Sequence, residues 1–423
     1  MTIDILPEVA LLEIFEFYVI EEPIEAWQTL VHVCRKWRNV VFGSTRRLDL
    51  RLFCTGTTPV RETLDVWPPL PIIIRLYGGI TDGVDNIIMT LEHSDRIREL
   101  ELFNIQMDKV LAGMKQPFPI LTHLQLWSGD KTETAPVYSI LGGSAPSLRS
   151  LSLGGIPILG LSKLILSAAH LVKLDLRRIP HSGYISPEVL VTSLSVLTRL
   201  ESLSIGFESP RSCPDRRRRR PPPPTRTLIP TLADFWFSGA SEYLEDLVVR
   251  IDAPLLDKLS LSFFHQLIFD TPQLTQFITR TPNFKEYNEA RVVFSEKEIV
   301  VSLSQTMGGL LELGVSCSQP DWQLSSLSQF FRWSFPQALV TPVENLYIVG
   351  GVSPQHHWED DIEGSQWLEL LHPFTAVKSL YISLEFAPRA AATLKELLGE
   401  RAPEVLPSLQ NVSSKETPPS RPV

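Results

Sequence analysis

The stretch LRSLSLGGIPILGLSKLILSAAHLVKLDL, residues 148–176, holds two copies of one short apolar pattern separated by an arm. The pattern is apolar-x-x-Leu-x-apolar, and its copies here are LRSLSL from Leu148 and LVKLDL from Leu171. Alternating apolar positions over a few residues predict a short, half-buried strand. A pattern that recurs at a nearly fixed period indicates a structural unit that buries its apolar face against its neighbours.

The same pattern recurs on both sides of this stretch. Five successive copies begin 24, 27, 23 and 29 residues apart, at Ile97, Leu121, Leu148, Leu171 and Leu200. Further copies follow as LEDLVV from Leu244, LDKLSL from Leu256, LLELGV from Leu310, VENLYI from Val343 and VKSLYI from Val377. We therefore predict one short strand in each copy, with the leucines of each strand stacked on those of the next.

The period and the leucine pattern resemble those of leucine-rich repeats. The resemblance implies that each unit contributes one strand and a returning helix or irregular arm to a curved solenoid. Most copies lack the asparagine that this family places after the last leucine, so we expect an irregular solenoid. An ordinary parallel α/β domain also has LxL strands at a similar spacing. The sequence has no phosphate loop or glycine-rich crossover, which favours the repeat interpretation.

Residues between the leucines of a strand point to the opposite face of the sheet. Several of them are aromatic or charged, a combination that protein-binding surfaces use for anchoring and for specificity. The residues that we predict to contact a target protein are Glu101, Trp127, Asp175, Arg177, Tyr347 and Tyr381. The alternative is that Trp127, Tyr347 and Tyr381 only pack under neighbouring loops.

Residues 4–44, which we call the N-terminal hook, read DILPEVALLEIFEFYVIEEPIEAWQTLVHVCRKWRNVVFGS. Apolar residues recur there every three or four positions, which predicts two or three short amphipathic helices. Breaks are expected at Glu21 to Pro23 and near His32. So short a helical segment buries too little surface to be secure alone, so its apolar faces should pack on the next domain or on another chain.

The hook resembles an F-box through Leu6-Pro7, Ile14-Phe15 and the run VCRKWR, residues 33–38. The resemblance implies docking onto a Skp-type adaptor and, through it, onto a cullin and RING ubiquitin ligase. The adaptor-binding residues that it implies are Leu6, Pro7, Glu8, Ile14, Phe15, Leu30, Val33, Cys34, Arg35 and Trp37. The alternative is that these helices are the first part of a helical core.

Two later stretches also resemble F-box proteins of mushroom-type fungi. They are SEYLEDLVVRIDAPLLDKLSL from Ser241 and FDTPQLTQFITRTPNF from Phe269. This similarity names no target protein.

Composition narrows the classes of function. The net charge of -9 argues against a general nucleic-acid binder, which needs a basic surface. The four cysteines have no CxxC spacing, so neither a disulfide framework nor a cysteine zinc site is indicated. The start of the sequence has no basic signal-peptide region, and no apolar run is long enough to span a bilayer. We expect a cytoplasmic or nuclear protein.

Some segments interrupt or end the repeats. Arg216 to Arg220, followed by Pro221 to Pro224, predicts a disordered insertion at residues 208–227. It could also serve as a nuclear import signal, contact an acidic partner or fill a proline-binding groove. Residues 390–398 predict a capping helix, and residues 411–423 predict a disordered tail.

The sequence shows no motif of covalent catalysis. Phosphate-loop, GxSxG and HExxH patterns are absent. The run QHHWEDD from Gln355 could supply metal ligands, and a hydrolase there would need a deep pocket near His356, but an exposed acidic loop is the simpler interpretation. We expect a non-catalytic protein with no metal and no cofactor.

These features combine into one predicted organisation of class α+β to α/β. A three-helix F-box at residues 1–45 is followed by a linker and first strands at 46–96 and by an irregular leucine-rich-repeat solenoid at 97–410. The predicted function is that of a substrate-recognition subunit of a Skp-cullin-F-box E3 ubiquitin ligase. The alternative is a leucine-rich-repeat interaction scaffold without a ubiquitination role.

Overall fold

The computed structural model describes residues 6–21, 26–77, 83–129, 136, 138–212, 225–264, 271–285, 287–295, 298–305, 308–316, 325–329, 331, 336–350, 369–383 and 405–415. The chain divides into two compact units, residues 1–178 and 179–423. Both are mixed α/β, with a mostly parallel sheet to which the repeats contribute strands.

The first unit begins with three helices, where the apolar pattern predicts two or three. They are α1 (Glu8–Glu21), α2 (Ala26–Val33) and α3 (Arg35–Gly43). The second break lies at Cys34, slightly later than expected, because the Cys34 side chain caps the helix that follows it.

The sheet of the first unit has its described strands in chain order, and all neighbours are parallel. The strands are β1 (Leu52–Cys54), β2 (Ile72–Tyr77), β3 (Ile97–Phe103), β4 (His123–Trp127), β5 (Ser150–Gly154) and β6 (Lys173–Ile179). The helices between them are α4 (Val60–Val66), α5 (Val84–Leu91), α6 (Met107–Gly113) and α7 (Leu161–Ser167). Among the described residues between β4 and β5, a short 3-10 turn lies at Leu141–Gly143.

The leucines of the repeat pattern set the register of these strands. Leu100, Leu124, Leu151 and Leu174 occupy one level of neighbouring strands, and Leu102, Leu126, Leu153 and Leu176 occupy the other. All eight side chains are buried. Stacked leucines of this kind bury a continuous core that no repeat could form alone, as the pattern predicts.

The sheet of the second unit runs in the order β7, β9, β11, β14, β13, β12, β15, β16, β17. These strands are β7 (Ser202–Phe207), β9 (Asp234–Gly239), β11 (Lys258–Phe264), β12 (Glu289–Phe294), β13 (Glu298–Ser304), β14 (Leu310–Ser316), β15 (Asn345–Gly350), β16 (Ser379–Ser383) and β17 (Asn411–Lys415). A separate parallel pair joins β8 (Thr227–Leu228) to β10 (Ile251–Asp252). The longer helices are α8 (Pro187–Leu194), α9 (Ser241–Val248) and α10 (Pro272–Arg280).

An antiparallel insertion interrupts the parallel repeats in the second unit. Strand β13 pairs antiparallel with β12 and with β14, so the chain fills this part of the sheet in reverse order. Ser295 closes the turn between β12 and β13: its Oγ donates to the Glu298 carbonyl at 2.9 Å and accepts from the Glu298 amide at 3.1 Å. Parallel pairing resumes on both sides of the insertion.

The copy LEDLVV from Leu244 is not a strand, so this prediction is wrong. It lies in α9, where Tyr243, Leu244, Leu247 and Val248 bury one face of the helix. The carboxylate of Glu245 is also buried, and it accepts hydrogen bonds from two backbone amides in the first turn of α10. A helix suits this stretch because its apolar residues also recur with helical spacing.

The repeat strand at this place is β9, with the sequence DFWFSG. Phe235 and Phe237 are buried and pair in register with Leu203 and Ile205 of β7. Phenylalanine therefore fills the positions that leucine fills in other repeats. A pattern built on leucine passes over this strand for that reason.

Other predictions fall at the C-terminal end or outside the described residues. The predicted disordered tail begins as strand β17, which pairs parallel with β16, so residues 411–415 belong to the sheet. The arginine and proline run at 216–224, the capping helix at 390–398 and the loop around His356 lie outside the described residues. Among the described residues, no helix combines the length and apolar character needed to cross a membrane.

We expect Leu151→Ala to lower the free energy of unfolding of the first unit by about 2–5 kcal/mol, because it leaves a cavity in the leucine ladder. Leu159→Ala is the matched control, since Leu159 is an exposed leucine of the same repeat. Urea unfolding, followed by hydrogen exchange of the β4 to β6 amides, measures both variants. Equal effects of the two substitutions would contradict the ladder as the source of stability.

Candidate functional site

The described helices of the N-terminal hook share a small core. Its buried residues come from all three helices: Leu11, Phe15, Ala26, Trp27, Leu30, Val31, Val40 and Val41. The Trp37 ring packs on Phe15 with 4.8 Å between the ring centroids. These contacts join the three helices into one packed body within the first unit.

The run VCRKWR owes its local structure to three hydrogen bonds. Cys34 Sγ accepts from the Trp37 amide at 3.5 Å and so caps α3. Lys36 Nζ donates to the Leu6 carbonyl at 2.9 Å, which ties the residues before α1 to α3. Arg38 Nε donates to the Val31 carbonyl at 3.0 Å, which ties α3 back to α2. Much of this motif therefore builds the hook itself.

The predicted adaptor-binding residues separate into two groups. Phe15 and Leu30, which the resemblance assigns to the adaptor interface, are buried in the hook core. Cys34 and Trp37 are half-buried and hold α3 in place. Leu6 is also half-buried. The residues that face solvent are Pro7, Glu8, Ile14, Val33 and Arg35.

Two exposed apolar residues of α1 were not predicted. Val9 is 65% exposed and Phe17 is 66% exposed, and Ile14 is exposed between them. Sequence spacing drew attention to the stripe of Leu11 and Phe15 that becomes the core. The signal for Val9 and Phe17 is that α1 carries apolar residues all round, more than one buried face requires.

The hook is fastened to the start of the first unit's sheet. Trp27 Nε1 donates to the carbonyl of Arg51, next to β1, at 2.9 Å. Trp67, just after α4, packs edge-on against Trp27 and Phe42, with ring centroids 5.1 and 6.4 Å apart. Aromatic packing of this kind stabilises beyond the area that it buries.

A row of stacked aromatic rings crosses the face of the first sheet opposite the leucines. Tyr77, Phe103 and Trp127 occupy the same level of β2, β3 and β4. Their ring centroids are 5.0 and 6.5 Å apart, with interplanar angles of 20° and 17°. Tyr77, at the end of the row, is 58% exposed. We call this set the aromatic row.

Charged side chains lie beside the aromatic row. Glu101 accepts from the Tyr77 hydroxyl at 2.7 Å, and this hydrogen bond raises the pKa of the Tyr77 phenol. Arg75 pairs with both Glu99 and Glu101, and Arg51 pairs with Glu99. Glu101 is half-buried, and its carboxylate interacts with Tyr77 and Arg75 on the same sheet face. The hydrogen bond to Glu101 holds the Tyr77 ring in place.

A polar chain fixes the other end of the aromatic row. Trp127 Nε1 donates to Ser152 Oγ at 3.1 Å, and Ser152 Oγ donates to Asp175 Oδ2 at 3.5 Å. Arg177 Nε donates to Asp175 Oδ1 at 2.8 Å. Asp175, which we predict to contact a target, is only 5% exposed, and its carboxylate accepts both of these hydrogen bonds. It anchors Arg177 and Ser152.

Gly154 provides space for the Trp127 ring. It pairs in register with Trp127, and a Cβ added at Gly154 would lie 2.6 Å from Cε3 of that ring. No side chain larger than hydrogen fits there without moving the indole. The glycine therefore helps to set the orientation of the largest ring on this face.

The second unit carries another stacked pair on the corresponding face. Tyr347 of β15 and Tyr381 of β16 stack with 4.5 Å between ring centroids and an interplanar angle of 9°. Burial raises the pKa of the Tyr347 phenol. Both tyrosines are half-buried on the sheet face, as the repeat pattern predicts.

The described residues contain no group of three or more His, Cys, Asp or Glu side chains arranged to hold a metal ion. The predicted alternative of a pocket near His356 concerns residues outside the described ranges. What the described surfaces offer is therefore apolar, aromatic and ion-paired contact area on two places, the hook and the sheet face opposite the leucines.

Comparisons with known proteins give a likeness among solved structures. No protein-family model matches the sequence, and no curated protein matches it. Among solved structures, the chain is similar to the leucine-rich repeat-containing protein LegL7 from Legionella pneumophila, with 11% sequence identity and a TM-score of 0.31 over 86% of this chain and 90% of that chain. The F-box resemblance therefore rests on the sequence of the hook and of the two later stretches.

We expect Gly154→Ala to displace the Trp127 ring and break its hydrogen bond to Ser152, because the added Cβ would overlap the indole. Fluorine NMR of 5-fluorotryptophan-labelled protein, with Trp127→Phe to assign the resonance, measures the displacement. Gly43→Ala is the control, since a Cβ there has nothing within 4 Å. A Trp127 resonance that Gly154→Ala leaves in place would contradict this account of the ring.

Proposed function

We propose that the chain is a substrate-recognition subunit of a Skp-cullin-F-box E3 ubiquitin ligase. The hook docks a Skp-type adaptor, and the sheet face opposite the leucines binds a target protein. The chain itself performs no covalent step and needs no metal or cofactor. Its site of action is the cytoplasm, the nucleus or both.

The observation that carries the proposal is the exposed apolar surface of the hook. Val9, Ile14 and Phe17 on α1 and Val33 at the end of α2 face solvent, although the hook core is already filled by other residues. Exposed apolar patches on soluble proteins often mark contact surfaces for another protein. Ile14 and Val33 belong to the F-box-like pattern, whereas Val9 and Phe17 extend the surface beyond it.

Other exposed residues of the hook suit the edge of a protein interface. Pro7, Glu8 and Arg35 are exposed, and they lie at the starts of α1 and α3. Interfaces generally combine an apolar centre with a polar rim. Glu8 and Arg35 are therefore assigned to the rim, and the four apolar residues to the centre.

The attachment of the hook suits a receptor that positions a target. Trp27 and Trp67 pack the hook against the first strand of the sheet, so an adaptor on the hook would lie at a defined place relative to the aromatic row. A target on that face would then be presented at high effective concentration to an enzyme carried by other subunits.

We expect Phe17→Asp to weaken binding of the host's purified Skp-type adaptor by about tenfold or more, because a charge replaces a phenyl ring that the interface would bury. Isothermal titration calorimetry with full-length protein measures the affinity. Leu166→Asp is the matched control, since it charges an exposed leucine on α7 and should leave adaptor binding unchanged.

Equal affinity of Phe17→Asp and the unmodified chain would contradict docking through α1. Absence of adaptor binding by the unmodified chain would contradict the ligase role altogether. The better proposal would then be a leucine-rich-repeat interaction scaffold. In such a scaffold the aromatic row could bind a partner whether or not the hook binds an adaptor.

A further inference from the structure

One row of side chains on the second sheet contains an arginine placed among aromatic rings. Glu312, Ser302, Arg291, Tyr347 and Tyr381 occupy the same level of β14, β13, β12, β15 and β16. The row exists because the antiparallel hairpin brings Arg291 beside the tyrosines of the last two repeats. It lies on the face opposite the buried apolar residues of these strands.

Arg291 stacks on the tyrosine pair. Its guanidinium carbon lies 5.7 Å from the centroid of the Tyr347 ring, whose other neighbour in the stack is Tyr381. A cation–π contact attracts the charge of the guanidinium to the ring. It does not consume the five N–H donors of the group, which suit two-point recognition of a carboxylate or phosphate.

The charge of Arg291 is not balanced by a neighbour in the part of the chain that the structure describes. No carboxylate there lies within ion-pair distance of it, and no acceptor takes its hydrogen bonds. Arg75, Arg177, Arg250 and Arg280 each have a carboxylate partner. Arg291 therefore differs from these four arginines.

The two nearest acidic residues along the strand and the row do not meet this need. Glu289 lies two residues earlier on β12 without forming an ion pair with Arg291. Glu312 lies two strands away and accepts hydrogen bonds from Ser260 at 2.6 Å and Ser302 at 3.5 Å. The guanidinium is thus held by a ring, and no acceptor among the described residues takes its N–H donors.

We propose that Arg291, on the stack of Tyr347 and Tyr381, binds a carboxylate side chain of an acidic peptide segment in a target protein. The inference rests on the proposed function in taking the occupant to be a target held by the repeat sheet. Arg pairs with carboxylates through parallel N–H bonds, and the tyrosine hydroxyls add further donors.

A carboxylate fits this place better than a phosphate or a nucleic acid. Recognition of phosphorylated segments typically uses clusters of arginines, whereas this row offers one. Polyanions need a broad basic surface, whereas Arg291 shares its strand with Glu289 and its row with Glu312, in a chain of net charge -9.

The test uses full-length protein and fluorescein-labelled peptides of sequence Gly-Phe-Glu-Phe-Glu-Gly. Fluorescence anisotropy measures their binding near physiological salt. Salt at this concentration also screens the long-range repulsion between the acidic peptides and the negatively charged chain. A peptide with glutamine in place of both glutamates should bind about tenfold more weakly or worse, as expected for loss of a charge-assisted hydrogen bond. A peptide with phosphoserine in place of both glutamates is the third probe.

Variants of Arg291 locate the site. Arg291→Gln should weaken binding of the glutamate peptide by about tenfold or more, and Arg291→Lys should weaken it too, because an ammonium group lacks the planar fork of donors. Arg226→Gln is the matched control: it removes a charge in the same unit from an arginine already paired with Asp252. It should bind the peptide as the unmodified chain does.

Several results would overturn the inference. They are equal binding of the glutamate and glutamine peptides, tighter binding of the phosphoserine peptide, and an equal loss in Arg226→Gln. Binding that appears only after Glu359, Asp360, Asp361 and Glu363 are neutralised would assign the place to the chain's own acidic segment. Phe17→Asp should bind the peptide normally, and Arg291→Gln should bind the adaptor normally. Failure of the adaptor-binding proposal can therefore be distinguished from failure of the peptide-binding proposal.

Discussion

The in-register stacking of leucines on one face of a parallel sheet is the constraint on which the rest of the first unit depends. Side chains alternate between the faces of a strand, so a slip of one residue would exchange the buried face for the exposed one. Leu124, Leu151 and Leu174 occupy one level of neighbouring strands, and a slip of one residue would expose them. The same register brings Tyr77, Phe103 and Trp127 into one row on the opposite face. The core and the candidate binding surface are thus fixed together.

The second unit keeps this constraint while changing strand direction. An antiparallel pair also alternates its side chains, so β13 can bury Ile299, Val301 and Leu303 although it runs against its neighbours. The cost is a break in the repeat order. As a result Tyr347 has a different neighbour. Strand β12 of the hairpin places Arg291 beside it, at the position that a strand of a regular repeat would otherwise occupy.

The sequence predicts the strands well where leucine alone fills the core. The copies from Ile97 to Leu171 give their position, and the paired leucines give their register. It does less well where another residue type or a second period competes. A search for leucines does not find β9, because Phe235 and Phe237 take the core positions there. The run LEDLVV fits the helical period as well as the alternating period of a strand, and it forms a helix.

The candidate sites follow the same division. Spacing finds the apolar stripe of a helix, which is why Phe15 and Leu30 stand out, yet a stripe is what a helix buries first. The residues left for a partner are those that the stripe does not need, such as Phe17. The sequence also does not show which charged residues on a sheet face remain available to a partner. The carboxylate of Asp175, for example, is occupied by hydrogen bonds from Ser152 and Arg177, and these depend on the strand register of the folded protein.

The joint formed by Trp27, Phe42 and Trp67 has a mechanical consequence. Because the three rings pack together and Trp27 Nε1 is bonded to the backbone beside β1, side-chain contacts as well as the chain itself join the hook to the segment that leads into the first strand. The separation between a protein bound on the hook and a molecule on the aromatic row can then be counted in strands, since the row begins on β2, the neighbour of β1.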